Sequence, residues 1–301
     1  MTATASIAHT LARLQSAGLE RLDAQLLLLH VLGQPQTQRG WLLAHDADLL
    51  PPELAATLAT LTQRRLAGEP LAYLTGHKEF FGLDLQVDAR VLVPRPDTET
   101  LVQWALDVLE ALTLPGGAAR AQQPARVLDL GTGSGTIALA LKASLPALQV
   151  QAIDFSADAL AVAQGNAQRL KLAVSFGQGS WFEGLADAMA QFDCIVSNPP
   201  YIAAQDPHLA ALTHEPLQAL ASGADGLDDL RQIIAQAPTH IKPQGWLLLE
   251  HGYDQAQAVR TLLTSTGFTQ VQSRQDLAGV ERCSGGQFNT NAQPHTRRTR
   301  P

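Results

Sequence analysis

Residues 126–130 (Arg-Val-Leu-Asp-Leu) form a short apolar run, and Gly131-Thr132-Gly133-Ser134-Gly135 follows without a break before residues 136–145 take up helical spacing. A strand that turns through glycines directly into a helix constrains the fold more than any other stretch of this chain. It brings backbone close to a ligand at a helix N-terminus whose N–H groups point outward. A second strand, residues 149–153, leads into Asp154, about 20 residues past the glycines. That is where a carboxylate receives ribose hydroxyls in dinucleotide-type folds. The spacing is Gly-x-Gly-x-Gly rather than the Gly-x-Gly-x-x-Gly of nicotinamide sites. Asp129, one residue before the strand ends, is read either as orienting the loop or a ligand, or as a structural cap.

Further along, Ser197-Asn198-Pro199-Pro200-Tyr201 follows the strand-like run 192–196. Two consecutive prolines have fixed φ and no N–H, so they cannot extend a ladder or enter a helix interior. They hold a rigid loop in which the Asn198 side-chain carbonyl and the following backbone carbonyls can accept hydrogen bonds, with Tyr201 as a flat wall. Such a loop can hold a planar –NH2 group by both hydrogens while leaving its nitrogen open to an electrophile. The Asn-Pro-Pro-aromatic pattern resembles that of methyltransferases acting on amide or exocyclic amino nitrogens. With the glycine loop and Asp154 upstream, S-adenosylmethionine is the expected methyl donor.

At 301 residues the chain is long for one compact domain. No window approaches the roughly 20 apolar residues of a membrane span, and the leucine-rich run 26–32 is broken by His30. The N-terminus has no signal-peptide pattern. Cys194 and Cys283 cannot make a disulfide framework, so a reducing cytoplasm is expected, and no metal, given scattered histidines. A net charge of −7 argues against tight binding to a phosphate backbone. The one dense basic cluster, Arg297, Arg298 and Arg300, falls in a tail (residues 291–301) expected to be disordered.

Residues 1–76 read as a small helical bundle. Ile7, Leu11 and Leu14 mark one helix and Leu22, Leu26 and Leu29 a second that Gly33 and Pro35 stop. Pro51-Pro52 opens another through Leu54, Leu58, Leu61 and Leu66. It carries no catalytic residues and is expected to dock a substrate. Residues 77–96 are expected to form a linking β-hairpin, with one strand over 80–87 and the other over 91–93. Asp97 or Thr98 is expected to cap the helix 101–112, and a flexible loop is expected over 115–124. Strands and helices then alternate to about residue 265, as in a doubly wound parallel sheet. Two last strands, near 268–274 and 281–288, are expected as an antiparallel edge pair. The methyltransferase domain is thus assigned to residues 97–290. Trp181, after the third strand, is suited to stack on adenine.

Several motifs together make the chain resemble the protein-(glutamine-N5) methyltransferases of peptide chain release factors. They are Asp23-Ala24-Gln25-Leu26-Leu27-Leu28, residues 68–76 (Gly-Glu-Pro-Leu-Ala-Tyr-Leu-Thr-Gly), Glu79-Phe80-Phe81-Gly82-Leu83 and residues 93–99 (Val-Pro-Arg-Pro-Asp-Thr-Glu). The glycine loop, Asn198-Pro199-Pro200-Tyr201-Ile202, Glu215-Pro216 and Leu249-Glu250-His251-Gly252 complete the set. The resemblance implies a class I S-adenosylmethionine-dependent methyltransferase: an α/β, Rossmann-like doubly wound sheet with an antiparallel C-terminal edge, plus the small N-terminal helical domain. It implies cofactor contacts at Gly131, Thr132, Gly133, Ser134, Gly135, Asp154, Trp181 and Asn198. Substrate contacts fall at Asn198, Pro199, Pro200 and Tyr201, with Asn198, Pro199 and Tyr201 catalytic. The partner implied is the Gly-Gly-Gln loop of release factors, with no stable nucleic-acid binding and no membrane. Many relatives carry Asp before the tryptophan where this chain has Ser180. Gly285-Gly286-Gln287 repeats the tripeptide the family methylates; it is expected as a turn or bulge within the last strand pair, not as a substrate. Two alternatives stay open: a nucleic-acid amino-group methyltransferase, and a noncatalytic cofactor-binding adaptor.

Overall fold

The computed structural model describes residues 5–113 and 124–289. Nearly all of the loop expected over 115–124, and the tail 291–301 with its three arginines, lie outside the described residues. The chain divides into two compact units, Met1–His77 and Lys78–Pro301.

The first unit is helical: α1 (Ile7–Ser16), α2 (Arg21–Val31), α3 (Arg39–Ala44), α4 (Pro52–Leu66) and α5 (Leu71–Thr75). Ser6 caps α1 by accepting from the His9 N–H at 3.2 Å. Pro52 opens α4 at a position where its missing N–H costs nothing. The bundle is closed by Ile7, Leu27, Leu28, Leu29, Leu42 and Leu58. Not every residue of the expected leucine stripes joins it, since Leu22 and Leu66 are exposed. α3 and α5 span under two turns, too short for an apolar period to register.

The second unit begins with a hairpin, β1 (His77–Phe80) and β2 (Leu83–Gln86). This corrects the strand boundaries expected from sequence. Phe81 and Gly82, expected inside one strand, are the turn, with φ of 49° and 78°. Two central residues of positive φ suit the twist of a two-residue hairpin. Residues 91–93 form no strand; the Val93 N–H instead donates to Glu215 Oε2 at 3.0 Å. There follow α6 (Thr98–Thr113), β3 (Arg126–Leu130), α7 (Thr136–Ser144), β4 (Gln149–Asp154), α8 (Ala157–Leu170) and β5 (Ser175–Gln178). The chain continues through β6 (Phe192–Ser197), α9 (Asp228–His240), β7 (Ile241–Glu250), α10 (Ala256–Ser265), β8 (Phe268–Gln275) and β9 (Glu281–Phe288).

Seven of these strands form one sheet in the order β5-β4-β3-β6-β7-β9-β8. β3 to β7 are parallel; β9 is antiparallel to β7, and β8 to β9. The central strand β6 is buried at every position, as a parallel strand covered on both faces must be. Chain order reverses at the β3–β6 pair, so the crevice for a ligand opens beyond the C-terminal ends of these strands. The glycine loop leaves β3 there and the double-proline loop leaves β6.

The expected antiparallel pair stands at one end of the sheet, with β9 between β7 and β8 and β8 outermost. Gly285 and Gly286 are accordingly mid-strand, opposite Leu248 and Leu247, and not in a turn. A bulge does lie here, on the partner strand: Gln270 and Val271 of β8 together oppose the single residue Gly286 between the pairs Thr269–Gln287 and Gln272–Gly285. Glycine is needed because of crowding: a Cβ on Gly285 would lie 2.6 Å from Leu248 Cδ2 and 2.7 Å from the Leu247 carbonyl oxygen. A tripeptide held this way on both edges is no accessible substrate loop. Gly285→Ala is expected to destabilise the protein by about 1–3 kcal/mol through overpacking, read as a lower urea midpoint.

Candidate active site

Asp129 organises the glycine loop from below. Its side chain is fully buried; Oδ2 accepts from the Thr132 hydroxyl at 2.6 Å and from the Ala138 N–H at 3.1 Å. One carboxylate thus ties the loop to the first turn of α7, holding the loop and capping the helix start at once. Its Oδ1 has no hydrogen-bond partner, and burial pushes its pKa up to about 7. The loop's outer side is held by Asp154, whose Oδ2 accepts from the Gly133 N–H at 2.8 Å and whose Oδ1 accepts from the Ser156 N–H at 2.9 Å. Burial raises the Asp154 pKa despite these bonds. The Phe155 N–H bonds this carboxylate as well, which leaves one of its four lone-pair sites open to a hydroxyl.

Gly131 and Gly133 have φ of 70° and 57°. A Cβ on Gly131 would press on the Trp181 ring at 3.3 Å, while one on Gly133 meets nothing within 4 Å, so Gly133 answers to backbone conformation alone. Trp181 itself has a φ of 49°, an uncommon conformation for a bulky residue. It starts a tight 3₁₀ turn, Trp181–Gly184, backed against Gly177 and Gly179 with no room for side chains between. The turn buries Phe182, stacked on His240 at 4.5 Å, and leaves Trp181 half-buried over the glycine loop.

These residues border a cavity of about 240 Å³. Gly131, Gly133, Asp154, Trp181, Asn198 and Pro200 meet there, together with Ser180. Thr132, Ser134, Gly135, Pro199 and Tyr201, also picked out from sequence, do not line it. Ser134 and Thr132 are buried within the loop: the Ser134 hydroxyl bonds Thr136 at 2.6 Å, and its carbonyl accepts from Asn166. Pro199 is buried beneath the second loop.

The Asn198 amide is oriented by α6. Its Nδ2 donates to the Thr98 hydroxyl at 3.2 Å. Thr98 in turn hydrogen bonds the carboxylate of Glu250. That carboxylate, at the end of β7, is buried and pushed up to about 7 by burial. Thr98 is therefore the first residue of α6 with its hydroxyl committed to the site rather than to a cap. Tyr201 turns its hydroxyl toward Glu250 Oε1, at a long 3.5 Å, and burial raises its pKa. The Tyr201 backbone is held by Gln255, whose Nε2 donates to its carbonyl at 2.9 Å, and by the Leu220 carbonyl, which accepts from its N–H. Glu215 clamps the adjoining segment, accepting from the Val93 N–H and pairing with Arg95.

Residues 118–274 match the family described as Methyltransferase small domain, and residues 6–76 the PrmC N-terminal domain. A release factor glutamine methyltransferase of Bordetella pertussis is 50% identical over 275 residues, covering 91% of this chain and 97% of that protein. The chain belongs to the release factor glutamine methyltransferase family. A second member, from Vibrio cholerae, is 44% identical over 96% of this chain and 98% of its own. The fold is that of a class I S-adenosylmethionine-dependent methyltransferase. A solved Pyrococcus furiosus methyltransferase matches it with a TM-score of 0.51 at 18% identity, over 77% of this chain and 99% of that one.

Sequence reasoning missed two groups of this family member's site. Thr98 appeared only as a helix cap, and Glu250 only as part of a family motif. The available signal for Glu250 was an acid closing an apolar strand, which places a charge at the ligand-binding edge of a parallel sheet.

The buried acid at Asp129 has a stability signature. Its folded-state pKa of about 7 lies above the ordinary carboxylate value, so the stability it contributes is complete below about pH 4. That contribution is lost as pH rises through about 7. The stability lost by Asp129→Asn is therefore expected to shrink between about pH 4 and pH 8 in urea unfolding. A difference independent of pH would exclude a neutral buried acid.

Proposed function

We propose that this enzyme methylates the side-chain amide nitrogen (N5) of the glutamine in the Gly-Gly-Gln motif of peptide chain release factors, with S-adenosylmethionine as donor. The observation that carries the reading is the orientation of Asn198. With Nδ2 engaged by Thr98, its carbonyl oxygen is the group left for a ligand beside the glycine-loop cavity. The names of the full-length relatives favour a protein glutamine over a nucleic-acid base.

The residues present fit the donor. Gly131 and Gly133 let a ligand approach the backbone at the cavity wall, Asp154 has a lone pair open to a ribose hydroxyl, and the Trp181 face suits adenine. When bound, S-adenosylmethionine supplies an electrophilic sulfonium methyl. Amide nitrogen is a poor nucleophile, so the protein must position and polarise it. Asn198 Oδ1 and the Pro199 carbonyl would accept the two amide hydrogens, and so orient the nitrogen and stabilise positive charge developing on it. A neutral acceptor suits a neutral amide without leaving an unpaired buried charge. Tyr201 and the two prolines make the wall of the substrate slot. The proton leaves to water from a nitrogen made acidic by methylation. Residues 1–76 serve to dock the release factor, and residues 77–96 link them to the catalytic domain, residues 97–290. Action in the cytoplasm, where translation ends, accompanies this reading; no described helix is long and apolar enough to cross a membrane.

Incubation of a release factor with enzyme and S-adenosylmethionine is expected to add one methyl, localised by mass spectrometry to the glutamine amide. Asn198→Ala should lower kcat by about 100-fold or more while cofactor affinity falls far less. Near wild-type turnover would remove Asn198 from this role. Asp154→Ala should instead weaken cofactor binding, by about 10- to 100-fold in titration calorimetry.

A further inference from the structure

Glu250 is only 1% exposed, and its Oε2 has no hydrogen-bond partner. A carboxylate in that position is costly to keep unless it serves the site beside it. Its place follows from the sheet: Ser197 of β6 pairs with Leu249 of β7, so Glu250 stands beside Asn198, where both strands end. No residue of the glycine loop reaches it. Its partners are Thr98 and, more distantly, Tyr201.

The sense of the hydrogen bonds is forced by chemistry. An ionised carboxylate only accepts, so the Thr98 hydroxyl donates to Glu250. The Thr98 oxygen then accepts, and the group it accepts from is the Asn198 NH2. Hydrogen bonds that run in one direction polarise one another, more so when one end is charged and all are buried. Thr98 is 3% exposed, which keeps water from competing for its hydroxyl. Two consequences reach Asn198. Its amide is held in one of two flip states, carbonyl toward the ligand, and electron density is pushed onto Oδ1.

We propose that Glu250, acting through Thr98, is a positioning residue that locks the Asn198 amide and strengthens Oδ1 as acceptor for the substrate –NH2 group. This rests on the reading of Asn198 given above. A protonated Glu250 can donate to Thr98, which then offers its own hydrogen to Asn198 and favours the opposite flip. The device is therefore active with Glu250 ionised. The charged and titratable groups facing it are Asp97 before α6, Tyr201 after β6, and Arg282 and Cys283 on β9. Arg282 favours ionisation and Asp97 opposes it; Arg282 lies 3.3 Å from Asp97. The adjacent His251 is engaged by the Ser284 hydroxyl and the Gly252 carbonyl and faces other partners.

The test is steady-state methylation of a release factor by the full chain across pH 6 to 9, with cofactor affinity measured alongside. Glu250→Gln, a near-isosteric change, is expected to lower kcat by about tenfold or more with the cofactor Kd unchanged. It should also remove the rise in kcat centred near pH 7 that Glu250 ionisation contributes. Thr98→Val should reproduce that loss, Thr98→Ser should restore turnover, and the double variant should lose no more than either alone. Wild-type kcat and pH profile in Glu250→Gln would overturn the proposal, as would losses that multiply in the double variant. Failure of the wild-type chain to methylate glutamine would overturn the functional reading instead.

Discussion

The parallel pairing of β3 with β6 is the constraint on which the rest of the molecule depends. It aligns Val127 with Cys194 and Leu130 with Ser197, segments 67 residues apart, and so ends both strands at the same level. Where the ladder stops, the buried Ser197 hydroxyl donates to the Leu130 carbonyl at 2.7 Å and ties the two strand ends together. The glycine loop and the double-proline loop then leave side by side. A slip of one residue would turn every side chain of the fully buried β6 to the opposite face, so the hydrophobic cover holds this alignment.

Around that crevice stand three acids, each near the C-terminal end of a parallel strand: the buried Asp129 in β3 and Glu250 in β7, and the half-buried Asp154 in β4. Burial raises the pKa of all three. Among the described residues none has an arginine or lysine as a direct salt-bridge partner; hydroxyls and backbone N–H groups hold them instead. That choice lowers stability in exchange for position, the pattern expected where side chains are set for a ligand rather than for the core. Elsewhere the same protein pairs its acids conventionally, as with Asp193 and Lys242 or Glu215 and Arg95.

Local chemistry was legible where a residue type has only one use. Glycines at positive φ, prolines that stop a ladder and long leucine-patterned helices were readable from the chain. Other features depended on neighbours far away. Residues 91–93 read as a second strand of the hairpin, but the Val93 N–H goes to a carboxylate at position 215 and the Val91 N–H to the Asp88 carbonyl. Gly285 and Gly286 read as a turn or bulge because glycine pairs often are; there is no turn, the bulge is on the facing strand, and insertion of β9 between β7 and β8 makes both glycines close-packing sites.

What the sequence determined by itself was the order of elements, the two loops that carry the chemistry and the family motifs around them, all set by short-range sterics and spacing. The tertiary structure decided which of its possible roles each polar group takes. The Asn198 amide has two flip states of equal covalent energy, and its choice rests on Thr98, 100 residues away, and on Glu250 beyond it. Hydrogen-bond direction belongs to a network, and the network exists only once the sheet has brought its members together.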